Sequence, residues 1–289
     1  MDKYLLTGYD FDQDGPFLLL DTIFEPIINR KKFHLRDKFF TIESTTDTFC
    51  IGSYDLDTQD FLICPHKAQP QNGKTLCSYC QKQNGFNPAF YNASSVSPKQ
   101  ERYNQRPHVV YLANFGQNLT KVGIASRVPT RWLEQGARSV LVIKNCANAY
   151  EARRIEEKTR KDLAIPEAIN NSLKRRIILS EYNKFKAEKE LLNIRDQLIN
   201  VGIDAEENSV LFLDDYYLGG NKIAPNVIDL TKDSDVISGK FIGLIGDILL
   251  VSQGSENFVM SLKKNISHVI KISPRIIPLK INAQPTLGI

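Results

Sequence analysis

The stretch VVYLANFGQNLTKVGIASRVPTRW, Val109 to Trp132, decides how the middle of the chain is read. Val109 to Phe115 is a β-rich run that ends at Gly116, a natural turn position. Lys121 to Ala125 is a second strand, with Gly123 inside it. A glycine in mid-strand weakens packing, so it marks the close approach of another group. Pro129 and Thr130 then start a helix that carries Arg131, Trp132 and Gln135. Arg131 and Gln135 share one face at i, i+4, whereas Trp132 points elsewhere and packs. The stretch is either an ordinary hairpin and helix or the floor of a site.

Reading outward, SVLVIKNC forms a third strand and Asn148 to about Leu163 a second helix. On that helix Ala152, Ile155, Thr159 and Leu163 form an inward stripe, and Glu156 falls inside it. A carboxylate facing inward is costly unless it meets a cation, a metal or a set of hydrogen-bond donors. Two readings stay open: Glu156 is a ligand of a site, or it belongs to a buried salt bridge, with Arg131 as the partner. A long amphipathic helix is expected over Ser172 to Asn200. The first 47 residues and the last third (SVLFL, KFIGLIGDILLVS, HVIKIS) read as short strands. The expected fold class is α+β. A β-rich N-terminal part (1–47) precedes a cysteine lobe (48–106) and a mixed α/β core (107–171). The long connecting helix (172–200) then leads to a small β-rich C-terminal unit (201–289). The C-terminal strands are expected to complete a barrel with the N-terminal ones.

Four of the five cysteines fall at Cys50, Cys64, Cys77 and Cys80. The Cys77–Cys80 pair has C-x-x-C spacing, which lets two sulfurs face one ion and forms half of a tetrahedral site. Cys50 and Cys64 supply the other half, with His66 as a substitute for either, Cys50 above all. Structural zinc is the expectation, against unliganded thiols or redox chemistry; no βαβ pattern frames the pair as a thioredoxin-like motif would require. Cys146 stands alone beside a strand and reads as a buried, inert thiol.

The net charge of +4 hides an asymmetry: Lys99 to Lys189 holds 19 Lys and Arg against 9 Asp and Glu. A basic block between acidic flanks is either a polyanion-binding face or a solvated helix surface. Phe86, Phe90, Tyr91 and Tyr103 are interleaved with Lys82, Lys99, Arg102 and Arg106. Such rings stack on bases beside phosphate-binding cations, or else they pack. With 42% hydrophobic and 24% charged residues the composition is that of a globular protein. No apolar run approaches the roughly 20 residues of a membrane span. The expectation is a soluble, cytoplasmic protein that does not engage a membrane; the sequence is silent on oligomeric state. No elbow motif surrounds Ser94-Ser95, which argues against a serine hydrolase.

Together these residues resemble the GIY-YIG nuclease superfamily over residues 107–171. Val110-Tyr111-Leu112 looks like its first strand motif, and Lys121-Val122-Gly123 like a lysine-bearing form of the second. Arg131 matches the arginine of its first helix. The run EARRIEEKTRKDLAIPEAIN resembles its glutamate helix and terminal turn. The resemblance implies a phosphodiester hydrolase in which Glu156 holds Mg²⁺ or Mn²⁺. Arg131 would pair with phosphate oxygens, and Tyr111 would orient or deprotonate the attacking water or position the phosphate. Lys121 stands where the superfamily has its second tyrosine, as base or phosphate ligand. Arg102, Arg106, Arg127, Gln135 and Asn170 would contact DNA or RNA. The chain also resembles an uncharacterised prokaryotic family that joins a cysteine cluster to such a core, through Cys50-x-Gly52, Phe86 to Tyr91 and Arg131 to Ala137. Three functions are therefore carried forward: a metal-dependent nuclease, a zinc-containing nucleic-acid-binding protein without catalysis, and a protein-partner scaffold using the 172–200 helix.

Overall fold

The computed structural model describes residues 2–71, 73–87, 89–205, 209–223 and 226–279. In chain order, β1 (Asp2–Asp12), β2 (Gly15–Asp21), β3 (Arg30–His34) and β4 (Phe39–Thr48) come first. The cysteine lobe follows, with β5 (Ser53–Tyr54), β6 (Phe61–Leu62) and α1 (Ser78–Asn84). Next are α2 (Pro98–Asn104), β7 (His108–Asn114), β8 (Thr120–Ala125), α3 (Thr130–Gln135), β9 (Ser139–Cys146) and α4 (Ala149–Leu163). They lead to α5 (Asn171–Ile178), α6 (Lys184–Asn200), β10 (Leu211–Phe212) and α7 (Asp214–Leu218). The chain returns to strands with β11 (Val227–Asp229), β12 (Val236–Ile245), β13 (Ile248–Gln253), β14 (Glu256–Ser261) and β15 (His268–Ser273). The fold is α+β, and the described residues fall into two compact units, one drawn from 2–86 with 216–279 and one from 87–215.

In the first unit both ends of the sequence share one nine-stranded sheet, in the order β11-β14-β13-β12-β4-β15-β1-β2-β3. Every pair is antiparallel except β11 with β14. The C-terminal strands are thus interleaved with the N-terminal ones, which corrects the reading of them as a small unit of their own. The sheet is not the expected barrel: β11 and β3 form its two edges. Consecutive residues Leu249, Leu250 and Val251 are all fully buried, so both faces of β13 are covered. Register shifts at Leu6/Gly8, Phe241/Gly243 and His268/Ile270 interrupt the ladder and bend the strands. Arg30 grips Asp21 through two hydrogen bonds of 2.7 and 2.9 Å. It also donates to the carbonyls of Ile51 and Phe61, tying the cysteine lobe to this sheet.

The second unit carries a four-stranded antiparallel sheet, β10-β9-β7-β8. Strand, strand, helix, strand, helix is the observed order of its core, as the apolar periodicity implied. Val110, Leu112, Val122, Leu141 and Ile143 pack with Ala152 of α4 and with Leu191 and Leu198 of α6. Cys146 lies in the same cluster, 3% exposed, in keeping with an inert thiol. The single helix expected over 172–200 is broken in two. Ser180 returns its hydroxyl to the Ile177 carbonyl, and Asn183 caps α6 by accepting from the Lys186 amide. Between them Tyr182 is held by its hydroxyl, which donates to Ser139 Oγ at 2.7 Å, and by the Arg138 guanidinium 4.4 Å over its ring. A side chain captured by the sheet and a cap with its own register outweigh helical periodicity here.

Candidate functional site

The second unit brings Tyr111, Lys121, Arg131 and Glu156 into one neighbourhood. Strand pairing sets Tyr111 opposite Gly123 and Ala113 opposite Lys121, so all four share one face of the hairpin. Tyr111 is buried against Trp132 of α3, ring centroids 5.8 Å apart. A methyl group on Gly123 would lie 2.8 Å from the Tyr111 hydroxyl oxygen, so the close approach that the mid-strand glycine announces is by this tyrosine. Gln135 Nε2 donates to that hydroxyl at 3.2 Å, while Gln135 Oε1 is buried without a partner among the described residues. Burial pushes the Tyr111 hydroxyl up to about 12, against the pull of the nearby Arg131 charge.

Lys121 is half-buried, and no hydrogen bond or ion pair holds its ammonium among the described residues. Burial lowers its pKa to about 8, and the positive charges of Arg131 and Lys174 add to the fall; Glu156 and Glu167 act the other way. Lys174, on α5, donates to the Gln135 carbonyl at 2.9 Å. Arg131 is half exposed on α3 and pairs with Glu134 at 3.4 Å.

Glu156 is 5% exposed on the inward stripe of α4, with Ala149, Ala152 and Thr159. Its partner is Arg153, one turn earlier on the same helix, at 2.5 Å, and not Arg131, the partner named in the salt-bridge reading. The same Arg153 nitrogen also reaches Glu167, and the guanidinium lies 3.9 Å over the ring of Tyr91. Arg153 Nε, also buried, has no acceptor among the described residues. Burial raises the Glu156 pKa even so, with Arg153 opposing. Sequence reasoning missed Arg153, Glu167 and Lys174. The i, i+3 spacing of Arg153 and Glu156 was the available signal; the other two come from later in the fold.

Of the residues expected to contact nucleic acid, one caps a helix. Asn170 caps α5, its Oδ1 accepting from the amides of Ser172 and Leu173 at 2.9 and 3.3 Å. The Arg127 carbonyl accepts from the Arg131 amide in the turn that enters α3. Arg106 lies 5.9 Å from the Tyr103 ring centroid, and its carbonyl bonds His108 Nδ1. Arg102 is exposed on α2. Among the described residues, metal-ligating side chains gather only at the four cysteines and at Asp12, Asp14 and His34. Glu156 is in neither group, so nothing in the donor set supports Mg²⁺ or Mn²⁺ beside it.

The cysteines form the second site, in the first unit. Cys50, Cys64, Cys77 and Cys80 are buried, and their four sulfurs all lie within 4.8 Å of one another. The Cys64 and Cys77 sulfurs are 3.9 Å apart. A tetrahedral zinc with bonds of about 2.3 Å requires about 3.8 Å between sulfurs, so the cluster could hold a metal ion of that size. The Cys77 amide donates to Cys50 Sγ at 3.1 Å and the Cys80 amide to Cys77 Sγ at 3.5 Å, as expected where thiolates are to be stabilised. His66 is not in the group and packs edge-on against Tyr79. Cys50 is therefore the fourth member.

One family model matches, over residues 97–270, and its description is "protein of unknown function". The chain belongs to the DUF2797 family. No curated protein and no solved structure matches it. The DUF2797 match overturns the resemblance to GIY-YIG nucleases: no model of that superfamily matches, and the family extends well beyond 107–171. In this DUF2797 chain three of the residues behind that resemblance are engaged within the fold itself. Gly123 makes room for Tyr111, Asn170 caps a helix, and Glu156 answers Arg153.

Proposed function

We propose that this chain is a nucleic-acid-binding protein whose second unit grips backbone phosphate at Lys121, Arg131 and Lys174. The cysteine lobe holds structural zinc in this reading. The observation that carries it is a half-buried ammonium, Lys121, with no partner among the described residues and two further cations close enough to depress its pKa. Clustered cations disfavour one another unless an anion joins them, and a phosphate would offer acceptors to Lys121. The surplus of Lys and Arg between residues 99 and 189 supports a polyanion over a small anion. Five free cysteines, four of them gathered round one point, suit zinc and a cytoplasmic location better than disulfides.

The test is oligonucleotide binding across a salt series. Binding should weaken steeply with salt, and Lys121→Ala should reduce the logarithmic slope by about one. Undetectable binding at low salt would remove the proposal. Fewer than one zinc per chain after native purification would remove the metal assignment.

Hydrolysis is the second reading, supported by one observation: a lysine held near pKa 8 is close enough to neutral to serve as a base. It requires cleavage that Lys121→Met abolishes. Engagement of Glu156 by Arg153 turns the balance toward binding.

A further inference from the structure

A cavity of about 690 Å³ opens in the second unit between residues 90–96 and the start of α4. That volume lies within the range of ordinary small-ligand sites, roughly 300–1,000 Å³. Its walls include Tyr91, 41% exposed, and Tyr150, 36% exposed. Phe90 meets both edge-on, at 5.6 and 5.3 Å between centroids. Aromatic surface left open to water inside a concavity is suited to another ring. The polar lining adds the Ser94 and Ser95 hydroxyls, and Arg154, an exposed guanidinium. Arg153 and Arg154 are offset by Glu151 and Glu157, so the cavity is suited to a neutral, polar ring and not to a phosphate.

Arg153 links this cavity to the cation cluster. Its guanidinium covers Tyr91 on one side and holds Glu156, whose charge Lys121 feels, on the other. We infer that the cavity receives an unstacked base of a single strand, with the adjoining phosphates on Lys121, Arg131 and Lys174. This rests on the nucleic-acid reading above and narrows its substrate class. Bases in a duplex have their faces covered by neighbours, so a cavity that takes one ring selects single-stranded or locally opened nucleic acid.

The experiment is fluorescence anisotropy with the full chain, comparing a labelled strand of about 12 nucleotides with its duplex at low salt. The strand is expected to bind at least about tenfold tighter than the duplex. Tyr91→Ala should weaken the strand about tenfold and leave the duplex unchanged, with Tyr91→Phe close to the parent. Lys121→Ala should weaken both. A strand with one 2-aminopurine, titrated with acrylamide, reads the same contact in the unaltered protein: the bound base should be protected from the quencher. Equal affinity for strand and duplex, with no protection and no effect of Tyr91→Ala, would overturn the base cavity while a Lys121→Ala defect kept the phosphate site. An aromatic peptide lacking phosphate that displaces the strand from the cavity at equal concentration would overturn it in favour of a protein ligand. Absence of binding to either nucleic acid would sink the phosphate site and the cavity together.

Discussion

Lys121 sits in a position that favours its neutral form, and two measurements follow. Its folded pKa, about 8, lies below the unfolded value of 10.5, so the folded protein carries a penalty for the charge below pH 8. That penalty disappears as pH rises from about 8 to 10.5, because the unfolded chain then holds the proton and the folded one does not. Lys121→Met should therefore raise stability at pH 7 by roughly 1–3 kcal/mol, and the gain should vanish by about pH 10.5 in urea denaturation. The same proton sets ligand affinity: polyanion binding should fall as pH climbs through 8. Gly123 is the second residue whose role is steric. Gly123→Ala puts a methyl 2.8 Å from Cζ and Oη of a fully packed tyrosine and should cost about 1–3 kcal/mol by denaturation. The glycine was readable as a close approach from its place in a strand; the identity of the approaching group was not, because cross-strand register is invisible in one segment.

Helix α4 presents a carboxylate, its cation and a Thr159 hydroxyl without a partner among the described residues, all on neighbouring turns. Removing Arg153 leaves Glu156 buried and unpaired, so Arg153→Leu should cost about 3–5 kcal/mol. The loss should shrink as pH falls, since protonation removes the stranded charge. Arg153→Leu with Glu156→Leu should recover much of the stability, which a double-mutant cycle would show. At the start of α5, Asn170→Ala should cost about 0.5–2 kcal/mol as a lost cap. Elements were legible where periodicity is strong: β7, β8, β9 and α4 all follow the apolar pattern. The break between α5 and α6 was not, because Tyr182 is drawn to Ser139 of β9, 43 residues away. Arg138 and Asp214, whose two-pronged ion pair includes a 2.7 Å bond, are 76 residues apart and equally beyond local reading. The Arg153–Glu156 pair needed only an i, i+3 comparison.

The whole molecule is divided in a way that one-dimensional reading blurs. The cysteine spacing pointed to a cluster, and the four thiols do gather at one place in the fold. Strand order in the nine-stranded sheet could not be read, because β15 lies between β1 and β4 and is separated from both by long stretches of chain. In the zinc reading, treatment with a chelator should act on the cysteine lobe first. Hydrogen exchange should rise in residues 50–86 while the amides of β7 and β9 stay protected. A uniform rise through both units would show that the cysteines brace more than their own lobe.

The interleaving of β1 and β4 with β15 and β12 imposes an order on biosynthesis. As the polypeptide leaves the ribosome, residues 87–215 can complete their own hydrogen-bonded sheet, whereas the opening strands lack the neighbours on which they must close. The amino-terminal strands therefore wait, open-edged and prone to wrong pairings, until the carboxy-terminal third has emerged. A nascent chain halted near position 255, with residues up to about 220 clear of the ribosome, should already protect its central segment from protease while its first fifty residues remain readily cleaved.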